Sequence, residues 1–90
     1  MQRVLTKGCF ATPGALEALA RAGEDVQTYL RRHLSGDWGE VCDEDKELND
    51  EAVGMEERIM SAYVLPTGLR IWVCTEPDRS ATTVLLPEEY

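Results

Sequence analysis

Two groups of polar residues in this sequence have the types and spacing that could do chemistry. The first group is His33, Asp37 and Trp38, in the stretch RHLSGDWGE. A histidine near a carboxylate can act as a general base or as a metal ligand. No serine or cysteine nucleophile stands in a recognisable motif beside it. A helix histidine, a turn aspartate and a core tryptophan would explain the same residues, and this structural interpretation is the simpler one.

The second group is Asp78, Arg79 and Ser80, in the stretch TEPDRSATT. A guanidinium group can hold a carboxylate or a phosphate through two parallel hydrogen bonds. The alternative is a polar turn in which Asp78 and Ser80 satisfy backbone donors and Arg79 pairs with an acid on a helix. If the fold brings this turn to His33 and Asp37, the two groups together could form the site of a small enzyme or ligand-binding domain.

The acidic residues are concentrated in one segment. Between Glu40 and Glu57 there are nine acids and one base, Lys46, whereas eight acids and eight bases balance elsewhere, so this segment accounts for the net charge of −8. An EF-hand calcium loop does not fit, because Lys46 and Leu48 fall where ligands are needed. The remaining interpretations are a solvated helix face and a docking surface for a protein partner with a basic surface. The candidate binding residues are Asp43, Glu44, Glu47, Asp50 and Glu51.

Length and composition predict a single globular domain over residues 1–90, since the chain is 43% hydrophobic and 29% charged. No basic region is present to displace counterions from phosphates, so we expect no direct binding to nucleic acid. No apolar run approaches the roughly 20 residues that cross a bilayer, and no signal peptide is evident. We therefore expect a soluble, cytoplasmic protein without membrane contact.

The cysteines Cys9, Cys42 and Cys74 lie far apart and form no CxxC pair. An odd number without a secretion signal predicts reduced thiols. With His33 they have the composition of a Cys3His zinc site, but such sites usually draw two ligands from one tight turn. Free cysteines often serve as small buried hydrophobes, and we predict no metal and no cofactor.

The first half of the sequence has the period and the end signals of helices. In ATPGALEALARAG, Thr12 can cap a helix that Gly23 ends. EDVQTYLRRHLSG predicts a second helix that stops at Gly36. Asp43 can cap a third helix over residues 44–53. The predicted inward residues of this third helix are Leu48 and Ala52, with Val41 and Met55 as further candidates.

The last third of the sequence has the composition of strands. RIMSAYVL, LRIWVCTE and ATTVLL are rich in β-branched and aromatic residues, and PTG and PDRS are turn sequences between them. The predicted fold class is α+β, with two to three N-terminal helices packed on a C-terminal three-stranded antiparallel β-meander. The helices should cover one sheet face, and the other should be partly apolar or covered by the segment near Val4. An edge strand could pair with a second copy and form a homo-oligomer.

Three stretches of the sequence carry a family resemblance. They are ATPGALEAL near the start, RHLSGDWGEVCDEDKELNDEA in the middle and SAYVLPTGLRIWVCTEPDRSATTVLLPEEY at the end. GDWG and TExDRSxTTxLLPEEY are the most specific strings. The chain resembles, over nearly its whole length, a family of small uncharacterised bacterial proteins that are often labelled plasmid-related and found near mobile elements. The resemblance implies that context and no activity.

Binding of another macromolecule is the function that these patterns favour over catalysis. The leading hypothesis is an accessory or inhibitory factor of a mobile element that binds a protein through the helix near Asp43–Glu51. The rival hypothesis is the small enzyme or ligand-binding domain that uses His33, Asp37 and the Asp78–Arg79 turn. A third follows from architecture alone, since helices before a β-meander are similar to small RNase toxins of toxin–antitoxin pairs. Those toxins are basic, and this chain departs from them in its acidic excess.

Overall fold

A computed structural model describes residues 2–90 and has the α+β architecture that the sequence predicts. Within those residues three helices and four strands form. In chain order they are β1 (Cys9–Ala11), α1 (Pro13–Ala22), α2 (Val26–Leu34), α3 (Asp43–Ala52), β2 (Ile59–Val64), β3 (Arg70–Thr75) and β4 (Thr82–Leu85), followed by a 3₁₀ turn at Pro87–Glu89.

The four strands form one mixed sheet in the order β1-β4-β3-β2. β2, β3 and β4 are the predicted antiparallel meander. β1 adds a parallel strand beside β4, with Cys9 opposite Thr82 and Ala11 opposite Val84. The prediction of a three-stranded antiparallel sheet is therefore wrong in the number of strands and in the parallel pair. A strand of three residues is too short to show alternation, and its pairing depends on a partner far along the chain.

The helix boundaries follow from local capping. The hydroxyl of Thr12 accepts a hydrogen bond from the backbone N–H of Ala15, and Gly23 ends α1 with φ of 69°. Asp25 caps α2 in the same way. α3 begins one residue earlier than predicted, so Asp43 is its first residue and Cys42 its cap. The first turn of α3 then holds three acids, which complement the positive end of the helix.

The larger core cluster lies between α1, α2 and one face of the sheet. Its buried members are Ala15, Ala18, Leu19, Tyr29, Leu30, Tyr63, Leu65, Ile71, Val73 and Val84. The strand members alternate along β2, β3 and β4, which places them on a single face. Burial of these apolar side chains is the main source of stability in a chain of this length.

A second buried cluster joins the N-terminal segment to α3. Its buried members are Val4, Trp38, Ala52 and Ile59. Ile59 and Tyr63 are four residues apart on β2 and therefore lie on the same face. Because Val4 packs against Ile59, it lies on the helix-covered side of the sheet. The N-terminal segment near Val4 therefore does not cover the opposite face.

The opposite face, called the outer face below, is partly apolar and only partly buried. It carries Phe10, Met60, Ala62, Val64, Arg70, Trp72, Cys74, Thr83 and Leu85, which pair across the strands. Phe10 is 58% exposed and Val64 is 44% exposed. The ring of Tyr90 lies edge-on to Trp72, with ring centroids 5.6 Å apart. In residues 2–90 no helix has the length and apolar character needed to cross a membrane.

Candidate functional site

The side chain of His33 is fully buried and hydrogen-bonded at both ring nitrogens. Its Nδ1 lies 2.5 Å from Oγ of Ser61 on β2, and its Nε2 lies 2.8 Å from Oγ1 of Thr75 on β3. Thr75 Oγ1 is in turn 2.7 Å from Oγ1 of Thr82 on β4. All four side chains are 0% exposed. They form a linear, fully buried series of hydrogen bonds, Ser61–His33–Thr75–Thr82, that joins α2 to the three antiparallel strands.

The chemistry of this series is set by its burial. Loss of solvent lowers the pKa of His33 to about 4, so the ring is neutral at neutral pH. A neutral imidazole donates one hydrogen bond and accepts one, which the two hydroxyl partners satisfy. A serine at hydrogen-bond distance from a histidine has the composition of a nucleophile and its base. A substrate would have to displace α2 from the sheet to reach Ser61 or His33.

Asp37, predicted to act with His33, interacts with other groups. Its Oδ2 accepts a hydrogen bond of 2.7 Å from Nε of Arg32. That bond holds the pKa of Asp37 below its ordinary value and that of Arg32 above it. The Arg32 guanidinium carbon lies 4.6 Å from the ring centroid of Tyr63, whose hydroxyl donates to the backbone carbonyl of Asp37. Asp37 thus joins the end of α2 to β2.

The GDWG loop lies with its backbone against the edge of β2. Trp38 is 4% exposed, and its Nε1 donates a hydrogen bond of 2.9 Å to Oδ1 of Asp50 on α3. Backbone hydrogen bonds join Glu40 N–H to the carbonyl of Ala62, and Ala62 N–H to the carbonyl of Trp38. Gly39 has φ of 74°, and a β-carbon there would overlap the carbonyl oxygen of Ala62. Only glycine fits this close approach.

The predicted turn at Asp78–Ser80 forms between β3 and β4. Oδ1 of Asp78 accepts a hydrogen bond of 3.0 Å from the backbone N–H of Ser80. The hydrogen bonds from Ser80 lower the pKa of Asp78. Arg79, between them, has φ of 62°, a left-handed conformation that is costly for a side chain of this size.

Arg79 directs its guanidinium to backbone carbonyl oxygens. Nη2 donates to the carbonyl of Ala52, the last residue of α3, at 2.6 Å, and to that of Met55, just after the helix, at 2.7 Å. Nη1 donates to the carbonyl of Glu57 at 2.6 Å and to that of Glu76 at 3.2 Å. α3 has no basic residue in its own last turn. Arg79 supplies from the β3–β4 turn the positive charge that a helix end favours.

The two predicted polar groups do not share a hydrogen bond or an ion pair in residues 2–90. His33 contacts hydroxyls in the core, Asp37 pairs with Arg32, and Arg79 contacts the end of α3. No three His, Cys, Asp or Glu side chains in that range are placed to hold a metal ion. Use of these groups in catalysis or ligand binding stays a prediction.

The acidic helix α3 presents most of its carboxylates to solvent. Asp43, Glu44, Asp45, Glu47 and Glu51 are exposed and form no ion pair within residues 2–90. Asp50 differs, because it accepts from Trp38 and lies 3.5 Å from Nη1 of Arg3. The predicted binding residues therefore comprise four free carboxylates and one that supports the core.

The buried face of α3 is only in part the predicted one, since Ala52 is buried and Val41 packs partly buried against the second cluster. Leu48, predicted to point inward, is 52% exposed, and Met55 is 56% exposed. The buried residues are Ala52, as predicted, and Asn49. The amide of Asn49 donates to the carbonyl of Met60 at 2.8 Å and accepts from the N–H of Met60 at 3.3 Å. This pair of bonds occupies the backbone N–H and C=O of Met60 at the open edge of β2. The hydropathy pattern gives no signal for the burial of Asn49, because a polar side chain is buried here to bond the backbone.

A groove of about 570 Å³ runs between α3 and the outer face of the sheet. Its lining residues are Glu40, Val41, Cys42, Asp45, Leu48, Asn49, Arg58, Met60, Ala62, Arg70 and Trp72. Its floor is apolar, the α3 side carries Glu40 and Asp45, and the sheet side carries Arg58 and Arg70. The volume falls in the range of ligand-binding clefts. Sequence analysis missed this groove because its two sides come from distant segments.

Comparison of the chain with protein-family models, with curated proteins and with solved structures gives no match. The resemblance to the plasmid-related family therefore stays a prediction.

Proposed function

We propose that the protein acts by binding a protein partner with a basic surface, and that the exposed acids of α3 are the contact. The observation that carries this proposal is the set of carboxylates at Asp43, Glu44, Asp45, Glu47 and Glu51, which are exposed and unpaired within residues 2–90. Opposite charge on a partner speeds association and selects the orientation of docking.

Leu48 supports the same assignment. It is 52% exposed and lies on α3 one residue after Glu47 and four residues before the buried Ala52. Interfaces typically combine a desolvated apolar centre with a polar rim. An exposed leucine surrounded by carboxylates provides both parts on one helix.

The proposal is tested by neutralising charge on α3 alone. The variant Glu44→Gln, Glu47→Gln, Glu51→Gln removes three charges that form no ion pair or side-chain hydrogen bond within residues 2–90, and it leaves Asp50 in place to hold Trp38. The matched control is Glu56→Gln, Glu57→Gln, Glu88→Gln, which removes the same charge from exposed positions outside α3. Both variants and the unaltered chain are used to capture partners from bacterial lysate at low and high salt.

We expect the unaltered chain and the control to retain a partner that the α3 variant loses by tenfold or more. Retention should weaken as the ionic strength rises above about 0.15 M, because exposed charges are then screened over roughly 8 Å. Equal capture by the two variants, or capture that does not depend on salt, would contradict the proposal.

A further inference from the structure

We infer that the groove between α3 and the outer face receives a short amphipathic helix of the partner, with basic residues on one flank and acidic residues on the other. The inference rests on the proposed function in taking the partner to be a protein. It goes further in naming a second surface, the conformation of the segment that binds there and the arrangement of its charges.

The edge of β2 excludes the simplest alternative, which is addition of a partner strand. The outward backbone groups of Met60 bond to Asn49, and those of Ala62 bond to Trp38 and Glu40. Strand addition needs a row of free backbone donors and acceptors. A segment bound here must therefore contact side chains, as a helix does when it lies in a groove.

The floor of the groove supplies apolar contacts for such a helix. Met60 and Trp72 are half-buried, and Leu48 stands on the α3 side. Unlike Trp38, the indole N–H of Trp72 donates to no group within residues 2–90. Tryptophan in a partly formed pocket is a frequent centre of binding energy, because it offers a large apolar area and one donor.

The two sides of the groove have opposite charge. Glu40 and Asp45, on the α3 side, form no ion pair in residues 2–90, and neither does Arg70 on the sheet side. Arg58, also on the sheet side, lies 3.4 Å from Glu76, an exposed and therefore weak pair. A helix with Lys or Arg facing α3 and Asp or Glu facing the strands satisfies both sides. A uniformly basic helix would place positive charge against Arg70.

The test uses a phage-displayed library of helix-forming peptides, about 18 residues long, selected on the immobilised full chain. The expected peptides have apolar residues spaced at i, i+3 or i+4, and i+7, the one-sided pattern of a helix. They should carry basic residues along one flank and acidic residues along the other. Recovery of no binding peptide, or of peptides without this pattern, overturns the inference.

Charge reversal then tests the position and orientation of the helix. The selected peptide, made synthetically, should bind at least tenfold more weakly to Asp45→Lys and to Arg70→Glu than to the unaltered chain. A peptide with its flanks exchanged should bind the double variant Asp45→Lys, Arg70→Glu better than it binds the unaltered chain. The control Glu88→Lys, Arg31→Glu reverses exposed charges outside the groove and should change neither affinity. Unchanged affinity in the groove variants overturns the inference.

The outcome is separable from that of the proposed function. If the Glu44, Glu47, Glu51 variant loses its captured partner but reversal at Asp45 and Arg70 changes no peptide binding, the proposal that the exposed acids of α3 contact the partner holds and the groove assignment fails. If groove reversal weakens peptide binding but that variant still captures as the control does, the groove assignment stands without the acidic face.

Discussion

At the scale of single residues, the most informative side chain is His33. Its spacing from Asp37 suggests catalysis, yet its two nitrogens contact Ser61 and Thr75 in a fully buried chain of hydrogen bonds. A buried polar group that is fully hydrogen-bonded fixes how elements pack, whereas an unsatisfied one would cost stability. His33 thus sets the register of α2 against the sheet.

The free energy of unfolding should depend on pH through His33. Burial lowers its pKa from 6.5 to about 4, so the unfolded chain binds a proton that the folded chain does not. The contribution of His33 to the free energy of unfolding is then fully present above about pH 6.5. It falls by about 3 kcal/mol as the pH drops toward 4. Urea unfolding at several pH values in this window measures the loss.

His33→Gln is the control for that pH dependence. Glutamine keeps a donor and an acceptor but does not titrate, so the variant should be less stable at pH 7 and should lack the fall between pH 6.5 and 4. A fall of the same size in the variant would assign the pH dependence to other groups.

Arg79 acts at the level of elements, because it joins the end of α3 to the β3–β4 turn. Replacing Arg79 by alanine should cost roughly 2 kcal/mol, since it leaves several carbonyl groups without a charged donor. Arg79→Lys should recover only part of that stability, because an ammonium group cannot fork to carbonyls on both sides. Urea unfolding measures the cost, and hydrogen exchange at the Met55 amide, bonded to Ala52, reports the end of α3.

The matched control for Arg79 is Arg70→Ala. Arg70 is exposed and makes no side-chain hydrogen bond or ion pair in residues 2–90, so its loss should change stability by less than about 0.5 kcal/mol. A comparable loss in both variants would show that bulk charge, and not the carbonyl contacts, is responsible.

Asn49 protects an edge of the sheet. Replacing it by leucine keeps the size of the side chain but removes both bonds to Met60, which should cost about 1 to 2 kcal/mol. It should also free the outward backbone groups of Met60, the part of the β2 edge that the GDWG loop does not bond, for pairing between copies. Sedimentation at rising protein concentration should detect self-association in Asn49→Leu and none in Glu47→Ala, a change at an exposed position of the same helix. Equal behaviour of the two would contradict the protective role.

At the scale of the whole molecule, net charge and the outer face act in opposite directions. The net charge of −8 makes copies repel one another, while exposed apolar groups such as Phe10 and Val64 favour contact. Raising the salt to about 1 M shortens the screening length to roughly 3 Å and should promote weak self-association. Light scattering measures it.

Val64→Lys identifies the face responsible for that association. It places a charge on the outer face at an edge position that is 44% exposed, and it should abolish the salt-induced association. Leu16→Lys, at a position on α1 that is 47% exposed, should leave it intact. Loss of association in both variants would mean that the outer face is not the contact.

The sequence by itself determined the elements whose cause is local. Caps and stops placed α1 and α2, β-branched and aromatic composition with turn sequences placed β2, β3 and β4, and charge counting located the acids of α3. These features depend on residues within a few positions of one another, so the chain displays them directly. The fold class followed from their order.

Tertiary structure alone decided the rest. β1 forms a strand because β4 lies beside it, and the inward face of α3 is the one on which Asn49 bonds to the edge of β2, not the one that carries Leu48. His33 and Arg79 are similar candidates in the sequence. His33 became a core hydrogen-bond partner through hydroxyls 28 or more positions away, and Arg79 became a cap for α3 through carbonyls 22 or more positions away. Hydrogen bonds and grooves between distant segments depend on how the elements pack, and local sequence patterns do not encode that packing.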